Sequence, residues 1–240
     1  MKHVYLMTLA GYTLRCAFEF PETAGFFGSW LLNDTEQSEG LAVTEGFWES
    51  WIRDLGPRNA CSEYSAFSMV VSDALLAHER CLIHGAAIRF KGRAWLIAGP
   101  SGVGKSTQVR TLMALYPGEI SVICGDRPVL ERSDDGRIIV HPSPWNGKEG
   151  WQGAPAAPLA GIICLRRGFE NKVESYSTKK AAAPVYASIL QTAESEETIR
   201  RAAAFESFLL EEVPLWRLTN KGVPDSSRLL YQTMLQECDT

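Results

Sequence analysis

No CxxC pair occurs among the six cysteines of this 240-residue chain. That excludes the paired-cysteine spacing of a structural zinc site and the dense framework of a disulfide-stapled domain. Cys124 and Cys164 sit inside apolar runs, where a reduced thiol acts as a small hydrophobe. Those runs are short. None reaches the length of a membrane span, and the opening MKHVYLMTLAGYTLRC alternates like strands, without the unbroken apolar stretch of a signal peptide. Basic residues are in the minority, 24 Lys and Arg against 28 Asp and Glu, so a general nucleic-acid surface is not expected, although a local basic pocket is allowed. There is no internal repeat and no low-complexity linker. With 45% hydrophobic and 22% charged residues the chain falls outside the disordered and fibrous classes. The expectation is a cytoplasmic globular protein that uses neither membrane nor nucleic acid as a partner, with oligomerisation left open.

What is present is punctuated by turns. Val4–Leu9 and Thr13–Phe20 read as short strands about Gly11, Asn33–Gly40 as a polar loop, and Gly46–Leu55 as a short helix burying Phe47, Trp48 and Trp51. Ser62 fits the N-cap of a helix carrying Tyr64, Phe67, Val71, Ala74 and Leu75 on one side. Leu82–Phe90, the turn Lys91-Gly92 and Arg93–Ala98 form an expected antiparallel hairpin. Next come a helix with Val109, Leu112, Met113 and Tyr116 on one face, stopped by Pro117-Gly118, and the strand ISVIC ending at Gly125-Asp126. The hairpin VLER–SDDG–RIIV follows, then a buried strand at Leu159–Leu165. Helices near 178–191 and 195–211, the second capped by Ser195, a strand at Val213–Thr219 and a last helix with Leu229, Leu230, Met234 and Leu235 complete the pattern. Hairpins mixed with helices predict an α/β fold with a mixed sheet, not a regular βαβ alternation. Organisation places a small N-terminal α+β region at 1–79 and the main domain at 80–240.

One segment carries a complete motif. AGPSGVGKST sets Gly99, four residues, then Gly104-Lys105-Ser106, directly after an apolar strand and before a helix, the context a phosphate loop requires. Glycines let the backbone curl so that successive N–H groups face phosphate oxygens, and the helix adds the positive end of its dipole. Gly99, Pro100, Ser101, Gly102, Val103, Gly104, Lys105, Ser106 and Thr107 are therefore the expected nucleotide-binding residues. Lys105 would reach the β- and γ-phosphates and Ser106 would ligate Mg²⁺. Asp126 closes the strand after that helix, so one sheet edge would bring it near the γ-phosphate. There a carboxylate serves as metal ligand, as acceptor of a hydroxyl proton, or as both. Phosphoryl transfer, regulatory nucleotide binding and a GTPase switch are the competing uses. Asn220-Lys221 continues as Gly222-Val223, so no guanine-reading motif is seen.

Together, His84-Gly85, the hairpin, GPSGVGKST and the acid at the next strand end resemble the HPr kinase/phosphorylase catalytic domain over about residues 80 to 220. Small relatives that phosphorylate serines of lasso peptides are similar in having a short N-terminal region. The resemblance implies a phosphoenolpyruvate carboxykinase-type P-loop core with ATP and Mg²⁺ as cofactors. It also implies that His84 lies by the phosphates and that Asp126 is the catalytic acid/base. Where that family has paired acids, this chain has Gly125-Asp126-Arg127, and the HPr-recognition signature is not recognisable, which removes HPr as the expected acceptor.

The run HPSPWNGKEGW, residues 141 to 151, concentrates proline, glycine and tryptophan beside Lys148. One reading has Trp145 and Trp151 pinning the loop to the core. The other has Lys148 stabilising the transferring phosphoryl group or gripping an acidic substrate, Trp145 walling the acceptor pocket or the adenine, and Trp151 as anchor. Arg127 either neutralises phosphate charge or covers the sheet. Arg166-Arg167 are either solvated or receive an anionic substrate. The leading expectation is an ATP- and Mg²⁺-dependent kinase for a serine-bearing peptide or a small serine-like molecule, with Asp126, Lys105, His84, Lys148 and Arg127 as its catalytic group. The alternative is a nucleotide-binding regulatory or assembly module.

Overall fold

The computed structural model describes residues 4–34 and 39–238. Half of the polar loop expected at Asn33–Gly40 falls outside them. Alternating sequence at the start makes β1 (Val4–Leu9) and β2 (Tyr12–Ala17), an antiparallel pair that β3 (Leu31–Asn33) extends in the order β2-β1-β3. The strand after Gly11 stops at Ala17, short of the expected Phe20, because Ala17 N–H leaves the pair and donates to Leu41 O at 2.8 Å. A short α1 (Thr23–Phe27) precedes β3, and α2 (Glu45–Leu55) buries Phe47 and Trp48 fully, Trp51 only in part.

The next helix, α3 (Ala60–Leu76), is capped by Asn59, not by Ser62. Asn59 Oδ1 accepts from Cys61 N–H at 2.9 Å and Ser62 N–H at 3.1 Å, while Ser62 Oγ accepts from Asn59 N–H at 2.9 Å. Ser62 is thus the far partner of a reciprocal cap. The apolar stripe of α3 packs under the small sheet: Phe67, Val71 and Leu75 share a core with Met7, Leu9, Leu14 and Phe18.

The single strand expected at Leu82–Phe90 is two, β4 (Arg80–Leu82) and β5 (Gly85–Phe90). Between them His84 N–H donates to Ser188 O at 2.7 Å and Gly85 N–H to Asp126 O at 2.8 Å, so the chain changes partners there. β5 pairs antiparallel with β6 (Arg93–Ala98) across Lys91 and Gly92, both at positive φ. Then follow α4 (Lys105–Leu115), β7 (Ile120–Cys124) and the hairpin β8 (Val129–Arg132) and β9 (Ile138–His141). β10 (Ala157–Arg167), β11 (Lys172–Ser175), α5 (Thr178–Tyr186), α6 (Glu196–Glu212), β12 (Leu215–Asn220) and α7 (Asp225–Cys238) complete the described order. α5 ends five residues before the expected 191 because Ile189 and Leu190 pair with Ile83 and Leu82 instead. Ser195 caps α6 as expected, accepting from Thr198 N–H at 3.1 Å.

The result is a mixed α/β fold around a nine-stranded mixed sheet, with order β4-β8-β9-β10-β6-β5-β7 and β12 pairing β10 and β11. β10 sets its geometry. Its first residues pair antiparallel with β9, and its later ones pair in parallel with both β6 and β12. Since β5 runs antiparallel to both β6 and β7, the carboxyl ends of β6, β7, β10 and β12 emerge at one edge. Side-chain alternation divides the sheet's two faces. Leu96, Ile162 and Cys164 meet Val185, Phe205 and Leu209 of α5 and α6 on one face. Trp95, Ile97 and Ile163 meet Val109, Leu112, Leu230 and Met234 of α4 and α7 on the other.

Gly161 of β10 marks how tightly that second face is filled. A Cβ there would lie 2.3 Å from Trp216 Cζ3 and 2.9 Å from Trp95 Cζ3, two rings whose centroids are 5.4 Å apart. Gly161→Ala should therefore destabilise the protein by about 1–3 kcal/mol, the ordinary cost of overpacking. It should appear as a lower denaturant midpoint with an unchanged m-value.

Candidate functional site

The segment joining β6 to α4 bends through three glycines at positive φ: Gly99 (+151), Gly102 (+72) and Gly104 (+115). Gly99 has a second reason to lack a side chain, since a Cβ would lie 2.7 Å from Leu165 O on the neighbouring β10. Lys105 opens the helix, 9% exposed, with Nζ donating to Gly99 O at 2.8 Å and Pro100 O at 3.2 Å. Burial lowers its pKa below the ordinary lysine value, and the charge of Asp126 partly offsets this. A loop that spends two carbonyls on its own lysine ammonium keeps a cation inside the bend.

Two elements over, β7 delivers Gly125 and Asp126 to the same edge. A Cβ at Gly125 would sit 2.4 Å from Asn146 O, and one at Gly147 (φ +77) would sit 3.1 Å from Asp126 Cβ, so the 142–151 segment lies directly on the strand end. Asp126 Oδ1 faces His84 Nε2 at 3.5 Å and Oδ2 faces Arg127 Nε at 3.3 Å. Arg127 is tied in turn to α3, where its Nη1 donates to Ser65 O at 3.0 Å and Ser68 Oγ at 2.5 Å. Its role is neither simple sheet cover nor a free cation: it ties the carboxylate to a helix of the N-terminal third. Burial first, then the charges of Lys105 and Arg127, lower the His84 pKa against the opposing pull of Asp126, so the imidazole is neutral at neutral pH.

These groups surround one cavity of about 690 Å³. Of the expected residues, Ser101, Gly102, Gly104, Lys105, Ser106 and Thr107 line it from the loop, and His84, Asp126, Arg127 and Lys148 from the other side. Gly99, Pro100 and Val103 do not line it; the first two hold Lys105 from behind.

Trp145 overturns its expected place as a wall. It is 1% exposed and packs edge-on to Phe27 at 5.4 Å, and its Nε1 donates to Tyr64 O at 2.8 Å. Its anchoring is what fixes the loop. Trp151 is only half-buried, with the Arg110 guanidinium 5.5 Å above its ring. Four residues outside the expected site set also line the cavity, Gly125, Gly147, Glu149 and Leu190. Glu149, held by Arg110 at 3.0 Å, is a second carboxylate in the site. Its signal was adjacency to Lys148. Leu190 carried none, because its stretch reads as helix.

Among the described residues no group of three or more His, Cys, Asp or Glu side chains could by itself hold a metal ion. An ion there would need oxygen donors from Ser106, Asp126 and a ligand's own phosphates, a set suited to a hard cation such as Mg²⁺. None of the described helices is long and apolar enough to cross a membrane. All six cysteines are free thiols.

The family model described as SynChlorMet cassette protein ScmC matches residues 62–221. No curated protein matches the chain. Among solved structures, the Hpr(Ser) kinase/phosphatase from Coxiella burnetii is 13% identical, with 65% of this chain and 91% of that chain covered, at a TM-score of 0.38. At that score the likeness decides nothing about this chain.

His84 reports directly on the site's charges. Its NMR titration midpoint should lie below the ordinary 6.5, rise in Lys105→Met, where a repelling cation is lost, and fall further in Asp126→Asn. A depressed histidine also makes the fold resist protonation, so stability should decline as pH drops below 6.5. A midpoint indifferent to both variants would contradict the geometry.

Proposed function

The chain belongs to the ScmC family, and we propose that it is an ATP-dependent kinase that transfers the γ-phosphate to a hydroxyl group, that of a serine-bearing peptide or a small serine-like molecule. The observation that carries this reading is the placement of Asp126 in one cavity with the Lys105 loop, on strand ends that emerge at the same edge. In balanced form the reaction takes R–OH and ATP to R–O–PO₃²⁻ and ADP, with the hydroxyl proton released.

Asp126 is the acceptor of that proton. Its carboxylate is oriented by Arg127 on one oxygen and faced by a neutral His84 on the other. Backbone N–H groups of the loop residues that line the cavity receive the phosphates, and Lys105 exchanges its two loop carbonyls for phosphate oxygens. Mg²⁺ held by Ser106 and Asp126 would neutralise developing charge on the phosphoryl oxygens. Lys148 offers a second cation over the same cavity. The fully buried Trp145 keeps the 142–151 segment seated, which limits water at the reacting end. A regulatory module that only binds nucleotide is favoured by the single acid at the end of β7, but Glu149 in the same cavity weakens that reading.

Incubation with γ-labelled ATP and a pool of serine peptides and small alcohols should label an acceptor. Asp126→Asn should lower the transfer rate by about 100-fold or more while ATP affinity changes only a few-fold. Lys105→Met should weaken ATP binding itself. Tight binding with no acceptor labelled, across a broad pool, would favour the regulatory module.

A further inference from the structure

The Gly99–Gly104 bend has a second side. Away from Asp126, a hollow of about 380 Å³ is lined by Pro100, Val103, Leu165, Arg166 and Arg167, and it shares Ser101 and Gly102 with the large cavity. Parallel pairing of β6 with β10 and of β10 with β12 puts this hollow outside carboxyl strand ends, where ligands of such sheets bind. A nucleotide with its terminal phosphate on the Asp126 side of the bend must leave its base elsewhere along the edge, and this hollow adjoins the same two loop residues.

Its chemistry suits an aromatic ring. Pro100 and Val103 supply apolar surface beside the buried Leu165. Arg167 Nη2 is fixed to Gly102 O at 2.7 Å and Arg166 Nε to Thr219 Oγ1 at 3.0 Å, so both guanidinium groups are positioned, on residues that are exposed, and such groups stack on flat rings. No carboxylate or carboxamide lines it, so nothing there is suited to reading a base edge in the bidentate manner that separates adenine from guanine.

We propose that this hollow is the nucleobase subsite and that it holds a purine by stacking against Arg166 and Arg167, accepting adenine and guanine alike. The proposal rests on the reading of the bend as a triphosphate site. Calorimetric titration with Mg²⁺ and each of ATP, GTP and inorganic tripolyphosphate tests it. Wild-type affinities for ATP and GTP should agree within about threefold, both tighter than for tripolyphosphate. Arg166→Ala is the clean variant, because the Arg166 side chain donates to Thr219 Oγ1 and not to the loop. It should weaken both nucleotides about tenfold, as expected for losing one stacked contact, and leave tripolyphosphate unchanged. Arg167→Ala should weaken both nucleotides too, and tripolyphosphate with them, because it also loses its hold on Gly102 O of the loop.

Unchanged ATP affinity in both variants, a loss for tripolyphosphate equal to that for ATP in Arg166→Ala, or a preference above about thirtyfold for one purine would overturn the proposal. So would wild-type protein that binds tripolyphosphate as tightly as ATP, with the phosphate reading left standing. Protein that binds neither would overturn both together.

Discussion

Asp126 owes its position to a contact between two stretches of backbone, Gly125 against Asn146 O, where a methyl group has no room, and Gly147 against the Asp126 side chain, where positive φ and a close fit both favour glycine. Around that contact the links run outward in both directions. Arg127 N–H donates to Trp145 O and Ser143 Oγ donates to Arg127 O, which locks the two segments in register. Trp145 carries the restraint to Tyr64, and Arg127 carries it to Ser65 and Ser68. The N-terminal third is therefore mechanically joined to the strand end that bears the carboxylate. Loosening α3 would move Asp126 without touching any residue of the glycine-rich bend.

Much of this was written locally. The bend is legible because its glycines, lysine and serine have a fixed spacing and its flanking strand and helix have their own periods. The hairpin turn Lys91-Gly92 is legible for the same reason. What was not legible depended on partners distant in sequence. The break between β4 and β5 exists because Ser188 and Asp126 capture successive N–H groups, and no property of Ile83 or His84 announces that. Trp145 and Trp151 are alike in sequence context. Only the position of Phe27 and Tyr64 decides that the first is sealed and the second half-open. Glu149 escaped notice because reading for paired acids looks along one strand, whereas the second acid here arrives from the following loop.

The charge pattern follows the same logic. Lys105, Arg127 and Lys148 face one cavity with Asp126 and Glu149, and each of four of these groups has a partner or constraint. Lys105 is held by carbonyls, Arg127 by α3 and Asp126, Glu149 by Arg110. Burial works against the charged form of Lys105, and neutral His84 adds no further cation. An incoming polyanion would relieve the desolvated lysine more fully than two carbonyl dipoles can, and that gain exists only for a ligand that enters the bend. The site is arranged to favour occupancy by a multiply charged group while keeping a single carboxylate, Asp126, at the mouth of β7.

On the proposed reading, one sheet edge separates two kinds of recognition. On the β7 side the surroundings are charged and tethered, suited to placing a proton acceptor against a reacting group. On the β10 and β12 side they are apolar, with guanidinium planes, suited to a flat ring that needs affinity but no chemistry. The bend between β6 and α4 belongs to both, since Ser101 and Gly102 line each hollow. Division along the edge also explains why β10 changes partners midway. Its first residues must follow β9, and its last must run beside β6 so that Leu165 and the arginines reach the bend. A strand parallel throughout could not pair with β9, and one antiparallel throughout would carry Arg166 and Arg167 to the opposite edge, away from any ligand held at Lys105.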